Sequence, residues 1–299
     1  MKEQKTRSRV KDVFFLCMIF LPLLAGVVLQ VLTKPASDGL SITGARIFFT
    51  IPMPVMDLPI TEAQINSWLV MISIFGLVLF LTNGIGENRR DWRQIAAEWM
   101  VEQTEKLVNT NMEPLFAGYA PFVGTILALS AFSSLVTLIG LYPPTSDVNI
   151  VFGWAILVFA LILKNKLRAP GAYLKGFFEP IFIMAPFNVI SELATPVSMA
   201  FRHFGNVLSG TVIGAMVAWA LQNLSRFLLG WLPGFLGEIP FLQIGIPAVL
   251  SVYFDIFSGC MQAFIFAMLT MLYVSGAYPG EEIAKRLANK QAQMATANK

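Results

Sequence analysis

The sequence predicts an all-α polytopic membrane protein of about six membrane-embedded helices, the last two long and steeply tilted. Three observations carry that reading. Only 13% of the 299 residues are charged, against roughly a quarter in an average globular chain. Hydrophobic residues make up 56%, with 25 Phe and 14 Met, and the mean hydropathy of +0.67 exceeds what one or two compact cores could bury. The apolar residues also lie in runs separated by clusters of Lys and Arg, the pattern of spans and cytoplasmic loops.

The first run, Val13 to Leu32, follows a basic tail of Lys2, Lys5, Arg7, Arg9 and Lys11. It is about 20 residues long, enough to span. A cleaved signal peptide shares this outline, but the run is long for a signal core and lacks a small-residue cleavage site, so a retained helix is favoured. Between Thr33 and Ile60 the prolines Pro35, Pro52, Pro54 and Pro59 argue for an exposed extended or looped segment, because proline removes a backbone donor and clashes inside a helix. A second span runs from Ile65 to Leu81, followed by a charged stretch from Glu87 to Glu113 with Arg89, Arg90, Arg93 and Lys106. The third runs from Leu115 to Leu141 and stops at Tyr142-Pro143-Pro144; a short fourth covers Ile150 to Leu163.

After Lys164, Lys166, Arg168 and Lys175 comes a long interrupted apolar region, Phe177 to Leu221, then a Gly/Pro-rich bend around Trp231 to Pro240 and a last span from Pro247 to Tyr273. A helix from Ile181 to Leu221 would be roughly 60 Å long, twice the roughly 30 Å hydrocarbon core. It must tilt steeply, break at Pro186 or Pro196, or lie partly along the interface; tilt plus a bend is expected. Placing the basic clusters in the cytoplasm puts both termini inside and the loops Lys34–Glu62, Tyr142–Asn149 and Gln222–Pro240 outside. The chain divides into an N-terminal section (1–60), a core (61–280) and a polar cytoplasmic tail (281–299).

Several classes are excluded. A net charge of +3 is too small and scattered for a nucleic-acid partner. One histidine, His203, and two distant cysteines, Cys17 and Cys260, supply neither a metal site nor a disulfide framework. No Ser/His/Asp spacing or phosphate-cradling glycine loop points to an independently folded enzyme, and no cofactor is expected.

The informative residues are polar groups inside the last two apolar regions. Ser191, Thr195, Ser198, Arg202, Asn206 and Ser209 recur at helical spacing and form one stripe. Asp255, Ser258, Gly259 and Gln262 form a second. Arg202 is the sharpest, since a guanidinium at the centre of a membrane helix costs about 2.5–3.5 kcal/mol on insertion scales and cannot shed its proton. Snorkelling is implausible because His203 is the sole other ionisable residue between Thr195 and Gln222. Asp255 is read as functional, against a structural partner of Arg202 or a water-exposed carboxylate near the outer surface. His203 points about 100° from the stripe and reads as a packing residue rather than a proton relay. Glu192 marks either a water-filled cytoplasmic route or a solvated carboxylate.

At Pro196-Val197-Ser198-Met199-Ala200-Phe201-Arg202-His203-Phe204-Gly205-Asn206 the chain resembles subunit a of F-type ATP synthases, whose signature leads through a Pro-x-Ser stretch into Arg-Leu-Phe-Gly-Asn. His203 stands where the family has leucine. Similar stretches occur in the family's order at Ser67–Met71, Pro144–Asn149, Glu179-Pro180 and Gln262–Phe266, so the resemblance covers Ile60 to Ala277. It implies a non-catalytic stator in a bacterial plasma membrane, beside a ring of c subunits with membrane-embedded carboxylates and held by the subunit b peripheral stalk and other ATP synthase subunits. Two half-channels would bring protons, or Na+, to and from those carboxylates. Arg202 would be the essential arginine, Asn206 and Gln262 its polar neighbours, Ser198 and Glu192 further positions on the path, and Asp147 and Asn149 residues near the outer channel entrance. Many relatives carry titratable residues where this chain has Thr211 and Asp255, which implies that Asp255 is the main outer relay, helped by water at Thr211. The helix before Ile60 is additional to the family's usual core. A cation-coupled secondary transporter is the main alternative, although its paired broken helices have no counterpart in the first half; a structural scaffold would leave Arg202 unexplained.

Overall fold

The computed structural model describes residues 2–33, 44–54, 56–85, 91–112, 114–178, 181–229, 242 and 245–278. Among them, six helices are long and apolar enough to cross a membrane: Val10–Thr33, Glu62–Thr82, Phe116–Ile139, Val148–Lys166, Phe182–Leu229 and Ile246–Gly276. The polar tail from Glu281, the bend from Trp231 to Pro240, Arg89, Arg90 and the Glu179-Pro180 pair lie outside the described residues.

The chain forms two compact units. The first comprises Met1–Arg89, Ala128–Ile150 and His203–Ala263; the second comprises Arg90–Leu127, Val151–Arg202 and Phe264–Lys299. In the first, α1 (Lys2–Thr33) packs along α2 (Glu62–Thr82). Three ties hold this pair. Asn83 Nδ2 donates to Asp12 Oδ1 (2.9 Å), Ser73 Oγ donates to the Ile19 carbonyl (2.9 Å), and Gly76 lies against Met18, where an added Cβ would sit 2.9 Å from the Met18 Cβ. Hydroxyl and amide bonds of this kind join helices where lipid offers no alternative partner.

Between α1 and α2 the expected loop contains a small antiparallel hairpin, β1 (Ile47–Ile51) with β2 (Leu58–Thr61), Thr50 opposite Pro59. A two-stranded ribbon has only edges, so Pro59 sacrifices no central ladder bond. Thr61 then caps α2, its Oγ1 accepting the Gln64 N–H at 3.3 Å. The third span is α4 (Ala120–Leu135) with 3₁₀ turns at both ends, Pro114–Tyr119 and Val136–Ile139. Gly140 (φ +83°) ends it in a left-handed conformation.

The core of the second unit gathers α3 (Trp92–Asn111), the lower part of α4, α5 (Val148–Lys166) and α9 (Gly259–Gly276), with Val108, Val123, Val151, Val158, Phe266 and Met271 fully buried or nearly so. Asn165 is fully buried; it accepts from the Tyr119 hydroxyl (3.3 Å) and donates to the Val274 carbonyl (3.1 Å), fixing the end of α5 on α9.

For the long fifth span, a break at Pro186 or Pro196 is not found, and the external loop expected from Gln222 starts later. α6 (Pro170–Phe178) and a 3₁₀ turn at Phe182–Met184 precede α7, which then runs unbroken through Pro196 from Ala185 to Leu229, 45 residues. The interruption therefore sits upstream, and Pro186 occupies the first turn, where its missing N–H would have had no helical partner. Residues Gln222–Leu229, expected in an external loop, are helical. At about 67 Å α7 outruns the roughly 30 Å hydrocarbon core, so it is inclined or emerges from it. The sixth span also departs from uniform α geometry: α8 (Ile246–Ser251) passes into a π-helical stretch, Val252–Ser258, before α9.

Candidate ion-translocation site

In the loop before α5, Asp147 Oδ1 accepts the Asn149 backbone N–H (2.9 Å) and Oδ2 accepts from the Thr61 hydroxyl (3.3 Å). Asn149 leaves its side chain exposed. Nearby, buried Glu62 pairs with Arg46 (3.3 Å), and Asn66 Nδ2 donates to the Tyr142 carbonyl (2.9 Å). Burial pushes the Tyr142 hydroxyl above its ordinary value, and the carboxylates of Asp147 and Glu62 push the same way. Asp147 is thus built into the cap of α2 as well as the loop.

A narrow polar cleft of about 10 Å³ lies within the first unit, lined by Ser134, Thr137, Asn206, Gly210, Asp255 and Gly259 among others. Helices come close here because two glycines allow it. A Cβ at Gly259 would stand 2.7 Å from the Ser134 Cβ, and one at Gly210 would stand 3.1 Å from the Phe254 Cβ. Across the cleft Ser258 Oγ donates to Asn206 Oδ1 (2.8 Å) and Asn206 Nδ2 donates to the Ser258 carbonyl (3.3 Å). Asp255 is half-buried and accepts from the Ser251 hydroxyl. The π turn carries Asp255 into a lining shared with Gly259, although α-helical spacing no longer applies along it. Single π turns of this kind recur at functional sites. Thr211 is exposed, and its hydroxyl returns to the Leu208 carbonyl (2.8 Å), so the structure does not bring it into this cleft.

His203 is fully buried in the same unit, with Nε2 3.3 Å from Ser130 Oγ. Gln262 is also buried, at 6% exposure.

The second unit holds a larger polar cavity, about 540 Å³, bordered by α6, α7, the end of α5 and the end of α9. Glu192, Ser191, Thr195 and Asn188 face it from α7, and Lys166 reaches it from the last turn of α5. Lys166 Nζ and Glu192 Oε2 form an ion pair at 2.5 Å. Both the water-route and solvated-carboxylate readings of Glu192 missed this partner. Tyr173 rises above its ordinary value, first through burial and then through Glu192. Ser198 and Arg202 are exposed on α7, and among the described residues Arg202 makes no hydrogen bond or ion pair.

Sequence reasoning placed Lys166 with the loop charges that set orientation and passed over Ser134, Thr137 and Asn165. A basic residue at a span end carries the same local pattern whether it faces water or reaches back to a carboxylate. The hydroxyls of α4 sit in an apolar run without a periodic stripe.

Six candidate spans among the described residues, holding a half-buried aspartate and an arginine with no partner among those residues, define a polytopic membrane protein with charged groups inside its apolar helices. The family model for the ATP synthase A chain matches residues 64–275, from the first turn of α2 to the end of α9. The chain belongs to that family. It is 31% identical over 226 residues to ATP synthase subunit a of Desulforamulus reducens, covering 74% of this chain and 81% of the relative. It is 26% identical over 268 residues to the sodium-ion-specific subunit a of Propionigenium modestum, covering 79% and 85%, and 29% identical over 233 residues to subunit a of Legionella pneumophila strain Paris, covering 76% and 90%. Membership of an ATP synthase complex replaces the secondary-transporter reading, and α1 with the hairpin precedes the matched region.

Proposed function

We propose that the chain is the stator of the ATP synthase membrane sector, passing protons or Na+ between two half-channels and the carboxylates of a c-subunit ring. The observation that carries this reading is Arg202: an exposed guanidinium on a membrane-spanning helix with no partner among the described residues. A cation so placed is available to a carboxylate of another subunit. It favours the ionised form of that carboxylate, so an arriving c subunit releases its ion, and the same fixed charge repels cations that would leak between half-channels. Arginine suits the task because it stays charged at any depth, whereas a buried lysine readily loses its proton. The membrane potential supplies about 2.3 kcal/mol per elementary charge per 100 mV, which rotation passes to the catalytic sector.

On this reading Asp255 relays ions in the outer half-channel, with Asn206 and Gln262 lining the route, Thr211 holding water, and Asp147 and Asn149 near the outer entrance. Glu192 and Ser198 belong to the inner half-channel. The basic clusters put both termini in the cytoplasm of a bacterial cell, and residues 61–280 form the working core, with 1–60 and 281–299 as flanking sections. The peripheral-stalk subunit b and the lipid bilayer complete its surroundings; no cofactor takes part.

The test is ATP-driven ion pumping by the purified complex with Arg202→Ala. Coupled pumping is expected to fall below detection, at least about 100-fold, in line with loss of a charge acting at the transfer step. Full pumping would refute the mechanism. Cross-links from the Arg202 face to a small ring protein are expected in the intact complex.

A further inference from the structure

We propose that the Lys166–Glu192 ion pair is a charge gate on the inner half-channel, in which Lys166 is a tethered counter-cation that a passing proton or Na+ displaces from Glu192. The inference rests on the stator reading above and assigns a regulating residue within it.

The position of the pair carries the proposal. Beside the cavity of about 540 Å³ lies a second of about 240 Å³, and the two share Lys166, Glu192, Thr195, Gly276 and Ala277 in their linings. The pair therefore stands in the wall common to both. The larger cavity is further lined by Phe177, Asn188, Ser191 and Tyr278, the smaller by Phe159, Ile162, Leu272 and Tyr273. Each is large enough for several waters at about 30 Å³ apiece. An ion moving from one cavity to the other meets the pair at the wall they share.

The chemistry of the two side chains suits a gate. Glu192 is 15% exposed and its Oε1 is buried with no hydrogen-bond partner, while Oε2 holds Lys166. One carboxylate oxygen thus lacks a donor, a mismatch that an arriving cation would relieve. Lys166 is a point charge on a flexible stem, and its Nζ lies 5.5 Å from the centre of the Tyr173 ring. That ring face offers the ammonium a second resting place when it leaves Glu192. The titratable groups around the pair are Tyr173 from α6 and Tyr273 and Tyr278 from α9 and its end; Tyr278 is itself held by Arg168 at 2.9 Å. From α7 only the neutral Asn188, Ser191 and Thr195 accompany Glu192 in these linings. One carboxylate and one ammonium consequently set the charge of the neck. Removing either leaves the other uncompensated, the costly condition for a buried charge.

The test uses the complete ATP synthase reconstituted in liposomes, with ATP-driven pumping of protons and of Na+ measured against ion concentration on the cytoplasmic face. Glu192→Gln leaves a lone positive charge and is expected to slow pumping roughly tenfold, while Lys166→Met slows the maximal rate by about fivefold and lowers the cation concentration for half-maximal rate. Lys166→Met with Glu192→Gln restores a neutral neck and should recover to within about threefold of the unmodified complex. Lys166→Arg should restore most of what Lys166→Met loses. Co-purification with the ring subunits separates these effects from failed assembly: a variant absent from the complex is replaced by Lys166→Gln or Glu192→Ala at the same position. A double variant as slow as Glu192→Gln, or a Lys166→Met complex with unchanged concentration dependence, overturns the gate. Arg202→Ala is measured alongside: if it pumps fully the stator reading falls too, and if it is silent while the pair variants behave like the unmodified complex, the gate alone falls.

Discussion

The two polar sites of this chain solve opposite problems with similar residues. The cleft of the first unit is tight, about 10 Å³, and its polar groups are paired with one another: Asn206 with Ser258, Asp255 with Ser251. The cavity of the second unit is about 540 Å³ and holds an ammonium and a carboxylate with one oxygen unmatched. Close glycine-mediated packing excludes water and makes every polar group answerable to a protein partner. Open space lets water do that work and leaves charge free to move.

Variants at each site sharpen this contrast. The largest effect is expected for Gly259→Val, because even a Cβ would stand 2.7 Å from the Ser134 Cβ and the helices must separate. Complex yield on native gels should fall by about tenfold or more, as overpacking in a close-packed interior does. Next comes Asp255→Asn, which keeps the shape of the cleft while removing its titratable group. Ion-driven ATP synthesis should drop about tenfold, the scale of losing a proton-transfer group, with normal complex yield; near-normal synthesis would show that Asp255 is not the relay.

Asn206→Ala breaks both bonds to Ser258. Leaving such groups unmatched costs about 1–3 kcal/mol, so thermal stability of the complex should fall measurably. Ser258→Ala removes only the hydroxyl half of this pairing, so the double variant should cost clearly less than the sum of the singles. The smallest effect is expected at Gly176→Ala on the wide cavity, where an added Cβ meets nothing within 4 Å. Pumping should change by less than about twofold, as at positions away from packing contacts. An effect as large as at Gly259 would erase the distinction between the two sites.

Much of this was legible beforehand. Every span but the fifth, which ends eight residues later than expected, was located to within a few residues, because a run of apolar residues is readily helical in lipid. Arg202 stood out for the same reason, and the stretch around it pointed to the family that the match over residues 64–275 establishes. Less legible was anything that depends on a bond being broken or bent. Proline inside an apolar run gave no way to tell Pro196, which α7 carries through, from a true break, and the π stretch at Val252–Ser258 has no signature in hydropathy. The hairpin at Ile47–Thr61 was read as an extended or looped segment and not as paired strands, since pairing depends on a partner strand that local composition does not reveal.

What the sequence by itself determined is therefore the set of spans and the charges stranded within them, both consequences of the cost of polar groups in hydrocarbon. Which groups meet was decided by tertiary structure alone. Lys166 and Glu192 lie on different helices, as do Asn206 and Ser258. Their meeting depends on helix rotation and close approach at glycine, and local hydropathy is blind to both.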